Sequence, residues 1–265
     1  MVLVAPAPVG FERSSVVGVG PEELDLEGIA DFLGRRSPAL VKSMGVEGLA
    51  QRLGILASTS SGVAPTVAGL MAFGTCPQLA RPELGVSVVR VAGPSLGGEI
   101  RGREDLEGGL SALLDQTMAF VATHTQGSAD LLRPGELRPE YPTEAVREAV
   151  VNALVHRDLR LSGRVSIRIF DDRLEVTSPG SLPAPLPLDE LAHQGGLSLP
   201  RNPLLASLAR GLGLALHIGR GLPVIRGALA AVTNSPVIYA ASNHEVRVIL
   251  PSPIRVSGAA PRLDN

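Results

Sequence analysis

The sequence contains no tryptophan, a single cysteine and only 3% aromatic residues. One cysteine, Cys76, rules out an intrachain disulfide and a thiolate-based zinc cluster, and it accords with a reducing compartment, so a cytoplasmic location is expected. No run of about eighteen apolar residues is present, which argues against a transmembrane helix. The first eight positions lack the basic residues and the apolar length of a signal peptide. Lysine occurs once, at Lys42, and the net charge is −2. Residues 1–125 hold 9 basic and 13 acidic side chains, and residues 126–265 hold 15 and 13. Neither half is a polycation, so charge alone does not predict strong non-specific nucleic-acid binding. Hydrophobic residues make up 45% of the 265, enough for a sizeable core that must be built from Leu, Val, Ile and Ala because aromatics are scarce.

The patterning predicts alternating helices and strands. Residues 22–36 read as an amphipathic helix that is acidic early and ends in Arg35 and Arg36, and a second helix is expected over 46–54. The apolar run Thr66 to Phe73 fits a helix or a buried strand equally well. Val86 to Val91 reads as a strand, and 105–124 as a long helix. The polar, proline-containing stretch 125–142 is the expected boundary between a mixed α/β domain (1–125) and a second domain (126–265). Beyond it the sequence predicts a helix over 142–156, then a hairpin of Val165–Phe170 and Leu174–Thr177 turning at Asp171-Asp172-Arg173. Short helices are expected near 188–193 and 203–210, a further helix after the turn Gly219-Arg220-Gly221, and closing strands near 237–239 and 245–250. The fold class is α/β (α+β), with the second half forming a helix-on-sheet sandwich around a mixed sheet.

Helix 142–156 is the segment best suited to chemistry. Glu144, Glu148, Asn152 and His156 recur every four residues and so form one slowly drifting stripe. Glu148 and Asn152, one turn apart, offer a carboxylate and an amide oxygen, hard donors of the kind that hold Mg²⁺ beside phosphates. The carboxylate is equally suited to orienting a water. The alternative is a solvated polar stripe on a surface helix. Gly219 and Gly221 ahead of a helix suit a close approach of backbone N–H groups to phosphate, or a simple turn. There is no GxxxxGK[ST] phosphate loop, no HExxH zinc helix and no GxSxG nucleophile elbow.

Four segments in order carry a family resemblance: Tyr141-Pro142 through Ala145-Val146-Arg147-Glu148-Ala149-Val150-Val151-Asn152-Ala153-Leu154-Val155-His156-Arg157-Asp158, then Asp171 to Gly180, Arg201-Asn202-Pro203, and Gly219-Arg220-Gly221-Leu222-Pro223. Together they resemble the RecG-related transcriptional-regulator family, associated with Schlafen/AlbA domains, whose C-terminal region belongs to the GHKL group of ATPases. Residues 65–78 resemble the family's middle segment. The resemblance implies a bacterial ATP-binding, Mg²⁺-dependent domain of Bergerat type. It assigns Glu148 to water activation, Asn152 to Mg²⁺, and His156, Ser178, Gly180, Arg201, Asn202, Gly219 and Gly221 to the nucleotide. Ser178 stands where the GHKL group carries an adenine-reading Asp and the family an Asn. Leu216 replaces the family's Glu, and Leu159 its Tyr.

Nothing resembles helicase motor motifs, so unwinding is not expected. The family's N-terminal AlbA-like domain is expected to be absent, and only about ten residues follow Arg255. The function implied is an ATP-binding regulatory module with slow Mg²⁺-dependent ATPase activity. The alternative is a degenerate GHKL fold that binds protein or DNA without turnover, through a basic surface of Arg133, Arg138, Arg147, Arg157, Arg160 and Arg164, or that forms a homodimer through the first half. No membrane partner is expected.

Overall fold

The structure, a computed structural model, describes residues 10–60, 62–129, 137–182, 188–196, 199–215 and 219–254. In chain order these form α1 (Leu26–Arg36), α2 (Pro38–Leu53), the hairpin β1 (Leu56–Thr59) and β2 (Gly62–Pro65), α3 (Val67–Phe73), β3 (Val86–Val91), β4 (Ile100–Leu106) and α4 (Leu110–His124). There follow the two-residue strands β5 (Ser128–Ala129) and β6 (Leu137–Arg138), α5 (Thr143–His156), β7 (Val165–Ile169) and β8 (Arg173–Pro179). The chain continues through α6 (Leu188–Gln194), α7 (Pro203–Gly211), α8 (Gly221–Ala230), β9 (Ile238–Ala241) and β10 (Glu245–Pro251). The architecture is mixed α/β, as the sequence predicts.

Six strands form one mixed sheet in the order β4-β3-β7-β8-β10-β9. Only β3 and β7 run parallel, with Val86 opposite Val165 and Val88 opposite Ile167. Alternation sets the faces: Val165, Ile167 and Ile169 are buried, while Ser166 and Arg168 between them are half-buried. The buried row continues from Ile167 to Val176 on β8 and Val248 on β10. Helices α4 and α5 pack on this face, α5 against β8 and α4 against β3, β4 and β7. Strands β3 and β4 precede residue 126 and β7 follows it, so both the sheet and the single hydrophobic core run across that position.

Several elements differ from the sequence reading. Residues 105 and 106 end β4 instead of beginning a helix, since Ser87 pairs with Asp105 and Val86 with Leu106; α4 starts only at Leu110. Helix α2 begins at Pro38 and bends at Gly45, whose φ of 74° no helix residue adopts. The ambiguous segment after Thr66 is a helix. Its cap decides this: Thr66 Oγ1 accepts from the Gly69 N–H at 2.9 Å and donates to the Gly54 carbonyl at 2.7 Å.

One long-range cap ties the chain's beginning to its second half. The Glu12 carboxylate, buried, accepts from the backbone N–H groups of Leu204 and Leu205, both at 2.9 Å. It thereby satisfies the first turn of α7, where Pro203 removes one donor and the helix dipole favours negative charge.

Candidate functional site

Helix α5 is buried on nearly every side, lying between the sheet, α4, α7 and α8. Glu148 is therefore 6% exposed, and Asn152 and His156 are half-buried. A solvated stripe is excluded: only Glu144, in the first turn, faces water. The stripe instead forms one wall of a cavity of about 210 Å³. Glu148, Asn152, His156, Ser178, Gly180, Gly219 and Gly221 all line it, together with apolar side chains that include Ala149, Ala153, Val176, Leu182, Leu222 and Val248. Seven of the nine residues anticipated from the sequence thus meet around one space.

Gly221 shows why the glycine pair is needed. A Cβ at this position would sit 2.6 Å from Glu148 Oε1 and 2.8 Å from Asn152 Nδ2. The backbone at the start of α8 is therefore pressed against the two polar side chains of α5, and any larger residue would fill the space beside them. Gly219 takes φ +66°, which a glycine adopts without strain, and its carbonyl accepts from the Gly196 N–H at 2.7 Å.

Helix α7 runs antiparallel along α5. At its start Asn202 Nδ2 donates to the carbonyls of Val155 and Arg157, both at 2.8 Å. Past its end the carbonyls of Gly213 and Leu214 accept from Arg147 Nη2 at 3.2 and 3.4 Å. This orientation places Arg210, on the last turn of α7, at the Glu148 end of the cavity, which it lines. Nothing in the sequence singles out Arg210: Pro203 opens its helix and Gly211 ends it, and neither says what the last turn faces. Its position depends on a helix pairing that periodicity does not encode.

Arg201 and Asn202 do not line the cavity. Asn202 is buried and spent on the end of α5. Arg201 donates to Asp158 Oδ2 at 3.3 Å and to the Ser181 carbonyl. Asp158 also takes a two-point contact from Arg160, at 2.9 Å from Nε and 2.6 Å from Nη2. These hydrogen bonds, Arg160 foremost, hold the Asp158 carboxyl down at about 2. Burial, with Arg201 adding to it, lowers the His156 imidazole below its usual value and favours the neutral ring. Ser178, buried, donates its hydroxyl to the Ala153 carbonyl at 2.8 Å.

The arginines proposed from the sequence as a basic surface are mostly committed elsewhere. Arg157 has no exposed surface and donates to the carbonyls of Glu83 (2.6 Å), Gly163 (2.7 Å) and Leu161 (3.4 Å). Burial brings its guanidinium down to about 10. Arg164 faces Asp105 and Glu107 at 3.6 and 3.8 Å, and Arg160 is held by Asp158. Arg138 is exposed, and Arg133 and Leu216 lie outside the described residues.

The donor set around Glu148 fits a hard divalent ion that keeps water and phosphate ligands. It supplies one carboxylate and one amide, and among the described residues no group of three or more His, Cys, Asp or Glu is placed to hold a metal by itself. No helix among the described residues is long and apolar enough to cross a membrane.

Residues 163–250 match the family described as "Putative ATP-dependent DNA helicase recG C-terminal". The match begins after α5 and takes in Ser178, Gly180, Gly219 and Gly221. No curated protein matches the chain. Among solved structures, the DIP2311 protein from Corynebacterium diphtheriae is similar over 91% of this chain at 24% identity, with a TM-score of 0.63, a likeness of fold. The chain spans 47% of that protein's chain, about half its length. Over residues 163–250 the chain is similar to a RecG C-terminal, ATPase-like domain.

Proposed function

We propose that the cavity binds ATP with Mg²⁺, and that the chain is an ATP-binding regulatory module of the GHKL kind and not a helicase. The observation that carries this is the seat formed by Gly221 against Glu148 and Asn152, a glycine backbone at a helix start facing a carboxylate and an amide across an otherwise apolar cavity. In this reading the N–H groups opening α8 and the guanidinium of Arg210 take the phosphates. Asn152 and the phosphates hold the metal, which neutralises phosphate charge when bound. Glu148 orients a water for slow hydrolysis. The apolar part of the cavity, from Ala153 to Val248, takes the base and ribose. The absence of a phosphate loop and of motor motifs separates this activity from the helicase named in the family description.

Calorimetric titration with ADP and a non-hydrolysable ATP analogue, with and without Mg²⁺, tests the reading. Magnesium-dependent binding is expected, and Asn152→Ala should weaken it by about a hundredfold or more while the thermal unfolding of the free protein stays cooperative. Unchanged binding in that variant, or no binding by the wild type at millimolar nucleotide, would overturn it. A second reading, a module that binds a protein or DNA partner without turnover, is favoured by one observation: Ser178, at the position of the adenine-reading carboxylate, turns its hydroxyl to Ala153.

A further inference from the structure

We infer that His156 is the residue that reads the base, and that the cavity therefore accepts adenine and guanine nucleotides alike. The inference rests on the nucleotide reading above and deepens it.

The cavity has two distinguishable ends. Gly221 and Arg210 mark one, beside Glu148 and Asn152. His156 lies eight residues further along α5, about 12 Å at 1.5 Å per residue. There it shares the cavity with Ser178, Gly180 and Ser181. If the phosphates occupy the Gly221 end, the base lies at the His156 end.

The polar groups at that end are mostly committed to the protein. The Ser178 hydroxyl is donated to Ala153. Asp158, the carboxylate nearest Gly180, is held by Arg160 and Arg201. Arg201 is divided between Asp158 and the Ser181 carbonyl, and only its buried Nε is left without a partner among the described residues. His156 differs: neither ring nitrogen has a hydrogen-bond partner among the described residues, although the side chain is largely enclosed and lines the cavity. An enclosed imidazole facing an apolar space has a hydrogen-bonding requirement that a ligand can meet.

The chemistry of that group sets the selectivity. A carboxylate only accepts, so opposite the 6-position of the purine it pairs with the amino group of adenine and repels the carbonyl oxygen of guanine. A neutral imidazole carries one donor and one acceptor and exchanges them by changing tautomer. It can accept from adenine or donate to guanine. Sites built around a fixed donor or acceptor reject the mismatched ligand by large factors, and a site read by a tautomerising ring gives up that discrimination. Burial keeps the ring in the neutral form that this requires.

The test is calorimetric titration of Mg-ADP and Mg-GDP into the full chain and into His156→Phe and His156→Gln. The two nucleotides are expected to bind the wild type within about tenfold of each other, and His156→Phe should weaken both by about tenfold. His156→Gln, whose amide also donates and accepts, should recover most of the loss, and this distinguishes base reading from a packing role. GDP binding more than about a hundredfold weaker than ADP, or equal affinities for His156→Phe and the wild type, would overturn the inference while leaving the nucleotide site intact. A wild type that binds neither nucleotide overturns both.

Discussion

Glu148, Asn152 and His156 stand one turn apart on α5, and the next two residues, Arg157 and Asp158, complete the same sequence motif; yet the two groups do different work. The first three line a cavity in which His156 has no hydrogen-bond partner among the described residues and a glycine backbone is pressed against Glu148 and Asn152. The other two, with Asn202 and Arg201 from the next motif, are largely engaged by backbone carbonyls, by Arg160 and by one another. Of the three cavity-lining residues, His156 leaves its ring nitrogens unspent among the described residues, which costs stability. Bracing residues spend most of theirs on the protein: Asn202 takes the carbonyls of Val155 and Arg157 where α5 ends, and Arg157 takes those of Glu83, Leu161 and Gly163. The segment 141–158 thus divides into residues that line the cavity and residues that brace the fold, and burial does not separate them, since Glu148 and Asp158 are 6% and 7% exposed.

The largest effect should follow from removing a bracing residue. Arg157→Ala would leave the buried carbonyls of Glu83 and Gly163 without a donor and open a cavity under α5, at a cost of about 3 kcal/mol or more. Arg210→Ala, on the ligand-facing side, should change stability by no more than about 0.5 kcal/mol while weakening nucleotide binding. Urea unfolding of both variants checks the contrast, and similar midpoints would erase the distinction between the two groups.

A smaller effect, confined to binding, is expected at Gly221. The added methyl of Gly221→Ala would meet Glu148 Oε1 and Asn152 Nδ2 at under 3 Å, and those side chains must turn away to admit it. Affinity for Mg-nucleotide should fall by about tenfold, or about 1.4 kcal/mol. The thermal midpoint should move little, because both displaced groups border open space. Wild-type affinity in this variant would show that the seat at Gly221 is not where phosphate binds.

Much of this was legible in the sequence, because the second half is punctuated by residues with strong local meaning. The hairpin through Asp171 and Asp172, the helix after Pro142 and the proline start of α7 each carry their own signal. The four-residue spacing on α5 puts Glu148, Asn152 and His156 on one stripe, and all three line the cavity. What could not be read was pairing at long range. The parallel contact of β3 with β7 joins residues about eighty apart, and no local pattern announces it. Strand β4 is polar and largely exposed, so it carries no core-facing alternation. Asp105 and Leu106 were consequently merged with the helix that follows. The roles of Arg201 and Asn202 were equally hidden, since the same side chains suit a phosphate or a helix end, and only the fold decides which is within reach.

The smallest predicted effect is a pH dependence that follows the same division along α5. His156 has a folded value below that of the unfolded chain, about 6.5, because burial and Arg201 both oppose its charged form. The unfolded state therefore takes up more protons than the folded state as pH falls below that value, and stability declines on acidification from there. Asp158 behaves as the opposite chemical case with the same slope. Hydrogen bonds from Arg160 hold it at about 2 when folded, so it stabilises the fold above the unfolded value near 4 and loses that contribution as pH drops towards 2. The Arg160 side is exposed, so this contribution should be about 1 kcal/mol or less. Denaturant midpoints measured from pH 8 to pH 3 should show two separate declines. His156→Gln should remove the upper one and Asp158→Asn should flatten the lower. Bound Mg-ADP should extend the upper decline to lower pH, since a ligand that bonds the neutral ring lowers its folded value further, and leave the lower one in place because Asp158 is engaged by the protein alone.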